Sequence, residues 1–334
     1  MGKNIKWGIL STATIAVNAI IPAILSAKNS EAAAIASSNP KVDEWARKFN
    51  IKQVYRSYDE LLHDEEIEAV YIPFPNHLHK EWVIKAAIKG KHVLVEKPAA
   101  LTSEDVMEMV QICKEHKVLF MEAFMYQFQP QHLFVKEIID SGEIGEVRHL
   151  SSTFTFPLNI HQHTHEFRLN AKHGGGSIWD VGCYCIHAAK TLIKEELKSV
   201  YVSGRFHPDH HVDMTATGIL TFSRDVTASF HCSFEESFRN TYEIHGTKGT
   251  IFLPNAFCSD RVDGGLGEVT VMNGGGEIRT ELFKANQYVL QMEHFAECIL
   301  AGKEVWYSGT ETFHNTRVIE ACYQSLTEEK IVHL

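Results

Sequence analysis

Four short segments of this 334-residue sequence carry side chains whose types and spacing suit chemistry rather than packing. The first is WGILSTATIA, Trp7 to Ala16, which joins an apolar run to a stretch with helical apolar spacing. A dinucleotide-binding turn, G-x-G-x-x-G, occupies such a junction and holds a pyrophosphate with backbone N–H groups at a helix N-terminus. Its three glycine places fall here on Ser11, Ala13 and Ala16. Serine and alanine are the next smallest side chains, so backbone can still approach a phosphate, and Ser11 and Thr12 add hydroxyl donors. On this reading Ser11, Thr12, Ala13, Thr14 and Ile15 line the cofactor site. Read in isolation, the same stretch is equally a plain strand-to-helix turn.

The second segment, IASSNP, ends the next apolar run, where an Asp or Glu would hold the ribose 2′-hydroxyl of NAD. Ser37 and Ser38 stand there, and no acid follows before Asp43. A 2′-phosphate is then not repelled, and Lys41 and Arg47 are the cations available to it, which favours NADP over NAD. The plainer alternative is that both serines only end a strand. The third and fourth segments, IPFPNHLHKEW and VLVEKPAA, lie where strands are expected to end, at the edge where open α/β sheets bind ligands. Pro73, Asn76 and His79 of one, with Glu96 and Lys97 of the other, are expected to face the cofactor. A lysine at a strand end, bracketed by Glu96 and Pro98, packs poorly and makes a fixed cationic donor.

These segments need a scaffold. Apolar runs at Lys6–Leu10, Ala32–Ala36, Ala69–Phe74, His92–Val95 and Val118–Met121 read as buried parallel strands. Helical patterns separate them: Ile15–Ala27, with a late start or bend at Pro22, Lys41–Phe49 behind Asn39 and Pro40, Asn76 to Gly90, and Thr102 to His116. Alternating strands and helices imply right-handed crossovers and a Rossmann-like parallel sheet over residues 1–122. The pattern then changes to longer runs at 146–156, 199–206, 213–222, 226–234 and 239–245, several alternating polar and apolar residues as antiparallel strands do. Helices are expected at 131–140, 178–193, 287–300 and 311–326. Residues 123–334 thus read as an α+β domain.

Composition excludes several classes. A formal net charge of −10 argues against nucleic acid as a partner, and no apolar run approaches the roughly 18 residues that span a bilayer. No secretory leader is read at the N-terminus, and seven Cys without a regular framework fit thiols of a reducing compartment. The expectation is a soluble cytoplasmic protein with a small-molecule substrate. His161, His163 and His165 alternate, but Pro157 and Asn159 beside them suggest a loop at a pocket rim, and no metal is expected.

In order, WGILSTATIA, YIPFPNHLH, HVLVEKPAA, MEAFMYQFQPQ, SGEIGEVRHL and GGGSIWDVGCYCI resemble the Gfo/Idh/MocA family of NAD(P)-dependent oxidoreductases. The MEAFMY segment and the tyrosine of DVGCY resemble its dimeric dihydrodiol dehydrogenase and NADP-xylose dehydrogenase branch. The resemblance implies a Rossmann domain, then a domain with a large open antiparallel sheet whose outer face forms a homodimer. It implies NADP or NAD as cofactor, and small residues replace the turn's glycines in related chains too. It makes Lys97 the catalytic lysine, with a cis bond to Pro98 common, and Tyr184 the acid/base where many members carry His. Asp180 lies four residues earlier on the same predicted helix, so both side chains can face one pocket.

The chemistry agrees with that assignment. Oxidising an alcohol needs a hydride acceptor and a group to take the hydroxyl proton. Lys and Tyr at their usual pKa values near 10 are poor bases at neutral pH, but a neighbouring cation lowers both. Phe124, Tyr126, Phe128 and Trp179 would line an apolar pocket for a sugar, polyol or dihydrodiol, or serve as core, and Arg168 follows the histidine-rich rim. A dinucleotide-binding sensor without turnover is the rival reading, and the presence of both Lys97 and Tyr184 favours the enzyme.

Overall fold

Residues 3–159, 167–261, 264–276 and 278–334 are described in the computed structural model. They partition into two units, Met1–Met125 with Asn286–His314, and Tyr126–Ala285 with Asn315–Leu334. The expected boundary after 122 compares with a crossing after Met125. The segment Asn286–His314, expected in the second domain, belongs to the first. Its Phe295 meets the ring of Trp7 at 5.6 Å between centroids, burying both completely.

In the first unit, β1 (Ile5–Leu10), β2 (Ser30–Ala36), β3 (Gln53–Tyr55), β4 (Ala69–Ile72), β5 (His92–Val95) and β6 (Phe120–Glu122) form one parallel sheet in the order β3-β2-β1-β4-β5-β6. Strands buried on both faces explain the continuous apolar runs. The first helix resolves the problem posed by Pro22. Helical backbone runs unbroken from Thr14 to Ser26, and Pro22, which lacks an N–H, falls in α1 (Ile21–Ser26) directly after a π-turn over Ala16–Ile20, where the i→i−4 ladder is already interrupted. After β2, α2 (Val42–Phe49) begins later than expected. Pro40 precedes it, and the Asn39 side chain accepts from the Lys41 N–H at 3.0 Å. The short helix α3 (Tyr58–His63) follows β3, and α4 (His79–Ile88) follows β4. At α5 (Ser103–Glu115) the Thr102 hydroxyl accepts from the Asp105 N–H at 3.1 Å, as the capping pattern predicts.

The second unit opens with α6 (Pro130–Ser141) and β7 (Val147–Thr155). A π-turn at Ile178–Gly182 runs into α7 (Cys183–Leu192). Then follow β8 (Leu197–Phe206), β9 (Asp213–Phe222), β10 (Thr227–Ser233), β11 (Arg239–Gly246), β12 (Gly249–Leu253), β13 (Leu266–Asn273) and β14 (Ile278–Lys284). The chain closes with α8 (Gln287–Ala301), which belongs to the first unit, α9 (Gly309–Glu328), and β15 (Val332–His333). The described strands order as β14-β13-β12-β11-β7-β10-β9-β8-β15, antiparallel except for the parallel β7–β10 pair. Register places Tyr201, Ile219, Ser229, Ser151, Glu243, Phe252 and Thr270 in one row across one face. The next row, with Val202, Phe230, Ser152 and Tyr242, is buried. No described helix is long and apolar enough to cross a membrane.

The turn after β1 makes the glycine's bend without a glycine. Ser11 adopts φ 147°, a region that L residues other than glycine rarely enter, and its hydroxyl accepts from the Ala13 N–H at 3.0 Å. Ser11→Gly is expected to hold stability within ~1 kcal/mol of the parent, because relief of the dihedral offsets the lost hydroxyl contact. Ser11→Val, which cannot take that φ without steric cost, is expected to lose about 2–3 kcal/mol in urea melts. Equal stabilities of the two variants would show that the turn makes no such demand.

Candidate active site

In the first unit the sequence-identified residues gather at the carboxyl ends of β1, β2, β4 and β5. The helical stretch after β1 starts at Thr14, so the first-turn N–H groups have no acceptor within the helix, and Thr12 to Ile15 are all at least partly exposed. The bend at Ser11, the small side chains around it and this free helix end suit a dinucleotide's pyrophosphate. Ser37 is tied to the same turn: its hydroxyl lies 3.4 Å from that of Thr12 and accepts from the Asn39 N–H at 3.1 Å. Ser38 and Lys41 are exposed beside it, while Arg47 spends its Nε on the Asp43 carbonyl at 3.2 Å. Asp43, the nearest acid in sequence, has its carboxylate paired with Arg56 at 2.6 Å.

The neighbouring loops are held from below. Pro73 and Asn76 are buried at the end of β4. His79, expected to touch the cofactor, is fully buried instead, with Nδ1 2.9 Å from the Pro98 carbonyl and Nε2 2.7 Å from that of Phe74. Burial pulls its pKa down to about 4 against the raising effect of these carbonyls. Both ring nitrogens thus face loop carbonyls, the neutral ring donating its single N–H to one of them, and the side chain lies inside the fold instead of at a ligand as expected. Glu96 receives the Tyr71 hydroxyl at 2.5 Å, and the Lys97–Pro98 bond is cis. Sequence reasoning passed over Glu122, at the end of β6. It is 2% exposed and accepts the Ala99 N–H at 2.8 Å. An acid interrupting the apolar run VLFMEAF was the available signal. Phe124, expected at a substrate pocket, is core: it is buried edge-on to Tyr307 at 5.7 Å between centroids.

In the second unit Arg168, Trp179, Asp180, Tyr126 and Tyr184 cluster around the π-turn and α7. Arg168 Nε donates to Asp180 at 2.7 Å, and its guanidinium lies 4.5 Å from the Phe167 ring centre. Trp179 stacks on Tyr323 at 5.6 Å. Tyr184 is 5% exposed, within 5.8 Å of the rings of Tyr126, Phe154 and Phe257. The Tyr126 hydroxyl reaches His187 Nδ1 at 2.5 Å, and Cys183 and Cys185 are fully buried.

A second residue missed in the sequence anchors this segment. Asp213, wholly buried at the start of β9, accepts from Ser177 Oγ and the Ile178 N–H, both at 2.7 Å, and from the Tyr323 hydroxyl at 2.6 Å. Burial raises its pKa to about 6 while the three donors pull it down. Gly176, at φ 118°, passes so close that a Cβ there would overlap this carboxylate. The run GGGSIWD is therefore glycine-rich because backbone and a buried acid share one space. His161, His163 and His165 lie outside the described residues.

Comparison with known proteins supports the same assignment. The family model "Oxidoreductase family, NAD-binding Rossmann fold" matches residues 5–124, and "GFO/IDH/MocA C-terminal domain" matches 132–252. D-xylose 1-dehydrogenase (NADP(+)) 2 of Haloferax volcanii is 33% identical over 98% of this chain and 99% of its own. Trans-1,2-dihydrobenzene-1,2-diol dehydrogenase of Xenopus laevis is 28% identical over 89% of this chain and 90% of its own. The crystal structure of aldose-aldose oxidoreductase from Caulobacter crescentus, complexed with glycerol, matches with a TM-score of 0.91 at 27% identity, covering 99% of this chain and all of that one. The chain belongs to the Gfo/Idh/MocA family of NAD(P)-dependent oxidoreductases, with an NAD-binding Rossmann fold in its first unit.

Proposed function

We propose that this enzyme transfers a hydride between NADP and the hydroxyl or carbonyl carbon of a sugar, polyol or dihydrodiol, with Lys97 and Tyr184 moving the proton. The observation that carries this reading is the placement of Lys97: a lysine just past the carboxyl end of an inner parallel strand, with the Glu96 side chain held by Tyr71 and the Pro98 and Ala99 backbone met by buried His79 and Glu122. The nicotinamide supplies the hydride site when bound. Ser11, Thr12, Ala13, Thr14 and Ile15 hold the pyrophosphate through backbone and hydroxyl donors. Asn76 and Glu96 border the same edge. In the second unit Tyr184 presents the phenol, and the Arg168–Asp180 pair and Trp179 orient the substrate.

Removing either proton carrier isolates this step. Lys97→Met and Tyr184→Phe are each expected to cut turnover by roughly 10²–10⁴-fold, with cofactor affinity changed far less. The double variant is expected to lose much less than the product of the two, since residues acting as one unit are not additive. Full activity in Tyr184→Phe with loss in Lys97→Met would transfer the tyrosine's role elsewhere.

The cofactor preference rests on Ser37, a neutral group hydrogen-bonded into the turn where NAD-specific sheets place an acid. NADP is expected to bind at least as tightly as NAD in calorimetry. Ser37→Asp should weaken NADP relative to NAD by roughly 10²-fold, through like charge at the 2′-phosphate. A clear preference of the parent for NAD would overturn the assignment.

The second unit's sheet face supports a homodimer. Tyr201, Ile219, Phe252, Met272 and Leu282 are 36–60% exposed on it, an apolar surface that soluble monomers rarely leave open. Light scattering is expected to give twice the chain mass at micromolar concentration, and a stable monomer would remove the proposal.

A further inference from the structure

The described structure holds several buried ionisable groups. Most have an evident structural use: Asp213 fixes a helix start, His79 joins two loops, and Lys91 donates to the Asp64 and Ile67 carbonyls at 2.6 and 2.8 Å. Glu122 is different. Its hydrogen bond to the Ala99 N–H needs only an acceptor, which an uncharged glutamine amide would supply equally well. Burying a carboxylate instead carries a desolvation cost, and here burial pushes the pKa up to about 7. A carboxyl here costs stability that a glutamine would not, which points to a use for the acid beyond this hydrogen bond.

The position says what the charge acts on. β6 pairs in parallel with β5, and Val95 stands opposite Glu122, so the acid ends its strand beside the EKP segment. Among the groups acting on it, the Ala99 N–H, the Thr312 hydroxyl of α9 and the Lys97 ammonium favour its ionised form, while the Glu96 carboxylate opposes it. Glu96 is itself occupied by the Tyr71 hydroxyl, with Tyr288 facing Tyr71 in turn.

We propose that Glu122 is a positioning residue for Lys97: one carboxyl oxygen pins the backbone two residues past the lysine, and its negative charge holds the lysine's proton. This rests on the reading of Lys97 as the proton-transfer residue. The sign follows from reciprocity: the Lys97 ammonium favours ionised Glu122, so the Glu122 carboxylate favours protonated Lys97 and raises the lysine's pKa. Removing the charge while keeping the acceptor must lower it. Glu122 thereby sets how alkaline the medium must be before Lys97 can accept a substrate proton. It also keeps the lysine protonated, as a donor, for the reductive direction.

The test is Glu122→Gln in the full chain. Competitive acylation of Lys97 across pH, read by mass spectrometry, is expected to place its midpoint lower by roughly one pH unit than in the parent. The acidic limb of kcat/KM for alcohol oxidation should move the same way. Melting of the variant at pH 8 should equal or exceed the parent, because an acid whose pKa is raised on folding destabilises the fold once ionised, and that cost disappears with the charge. An unmoved acylation midpoint overturns the proposal, and so does a midpoint that rises. Retained turnover in Lys97→Met would overturn the catalytic reading instead, while the acylation midpoint still judges whether Glu122 controls the lysine's charge.

Discussion

Parallel strand pairing is the constraint on which the first unit depends. Each strand of β1, β4, β5 and β6 runs the same way, so every strand-to-helix turn falls on one edge of the sheet. The Ser11 turn, the Asn76 loop, the EKP segment and Glu122 become neighbours for that reason alone, although about 110 residues separate the first from the last. Where β1 lies between β2 and β4, the chain's crossovers leave in opposite directions, and a crevice opens at the strand ends. Sequence-distant side chains meet there without any long loop to carry them.

The second unit solves a different problem, since an antiparallel sheet has no common edge of helix N-termini. Its expected site residues Trp179, Asp180 and Tyr184 sit on one helical stretch laid against the buried face. The start of that helix is fixed by Asp213, which reaches Ser177, Ile178 and Tyr323 at once. A π-turn then carries Trp179 and Asp180 before regular α-helix resumes at Cys183. Such turns are common at functional sites because the extra residue per turn re-aims side chains that an α-helix would point elsewhere.

What the sequence revealed follows from what periodicity can encode. The five buried strands expected in the first unit announced themselves as apolar runs, and the Thr102 cap as a spacing. β3, three residues long, has no room for a period, and β14 is almost wholly exposed, so neither produced a signal. β13 does alternate over LGEVTVMN and was legible in principle. The return of Asn286–His314 to the first unit depends on a Trp7–Phe295 contact across nearly 290 residues, which no local pattern contains. For the site, residue types marked Lys97, Tyr184 and Asp180, whereas His79 and Phe124 were placed by their neighbourhood in sequence. Their side chains turn inward, a direction that strand-end position does not fix.

The inward turn of His79 is itself informative about Lys97. A lysine side chain has four rotatable bonds, and placing its ammonium within a hydrogen bond's tolerance loses entropy at each one. Further looseness in the backbone would multiply the spread. Here the side chain of the residue before Lys97 is held by Tyr71, the carbonyl of the residue after it lies against His79, and the N–H of the next is held by Glu122. All three clamps are buried and come from different elements: β4, the start of α4 and the end of β6. They fix the backbone from which the Lys97 side chain extends, so less of the lysine's placement is left to the ordering of a loop.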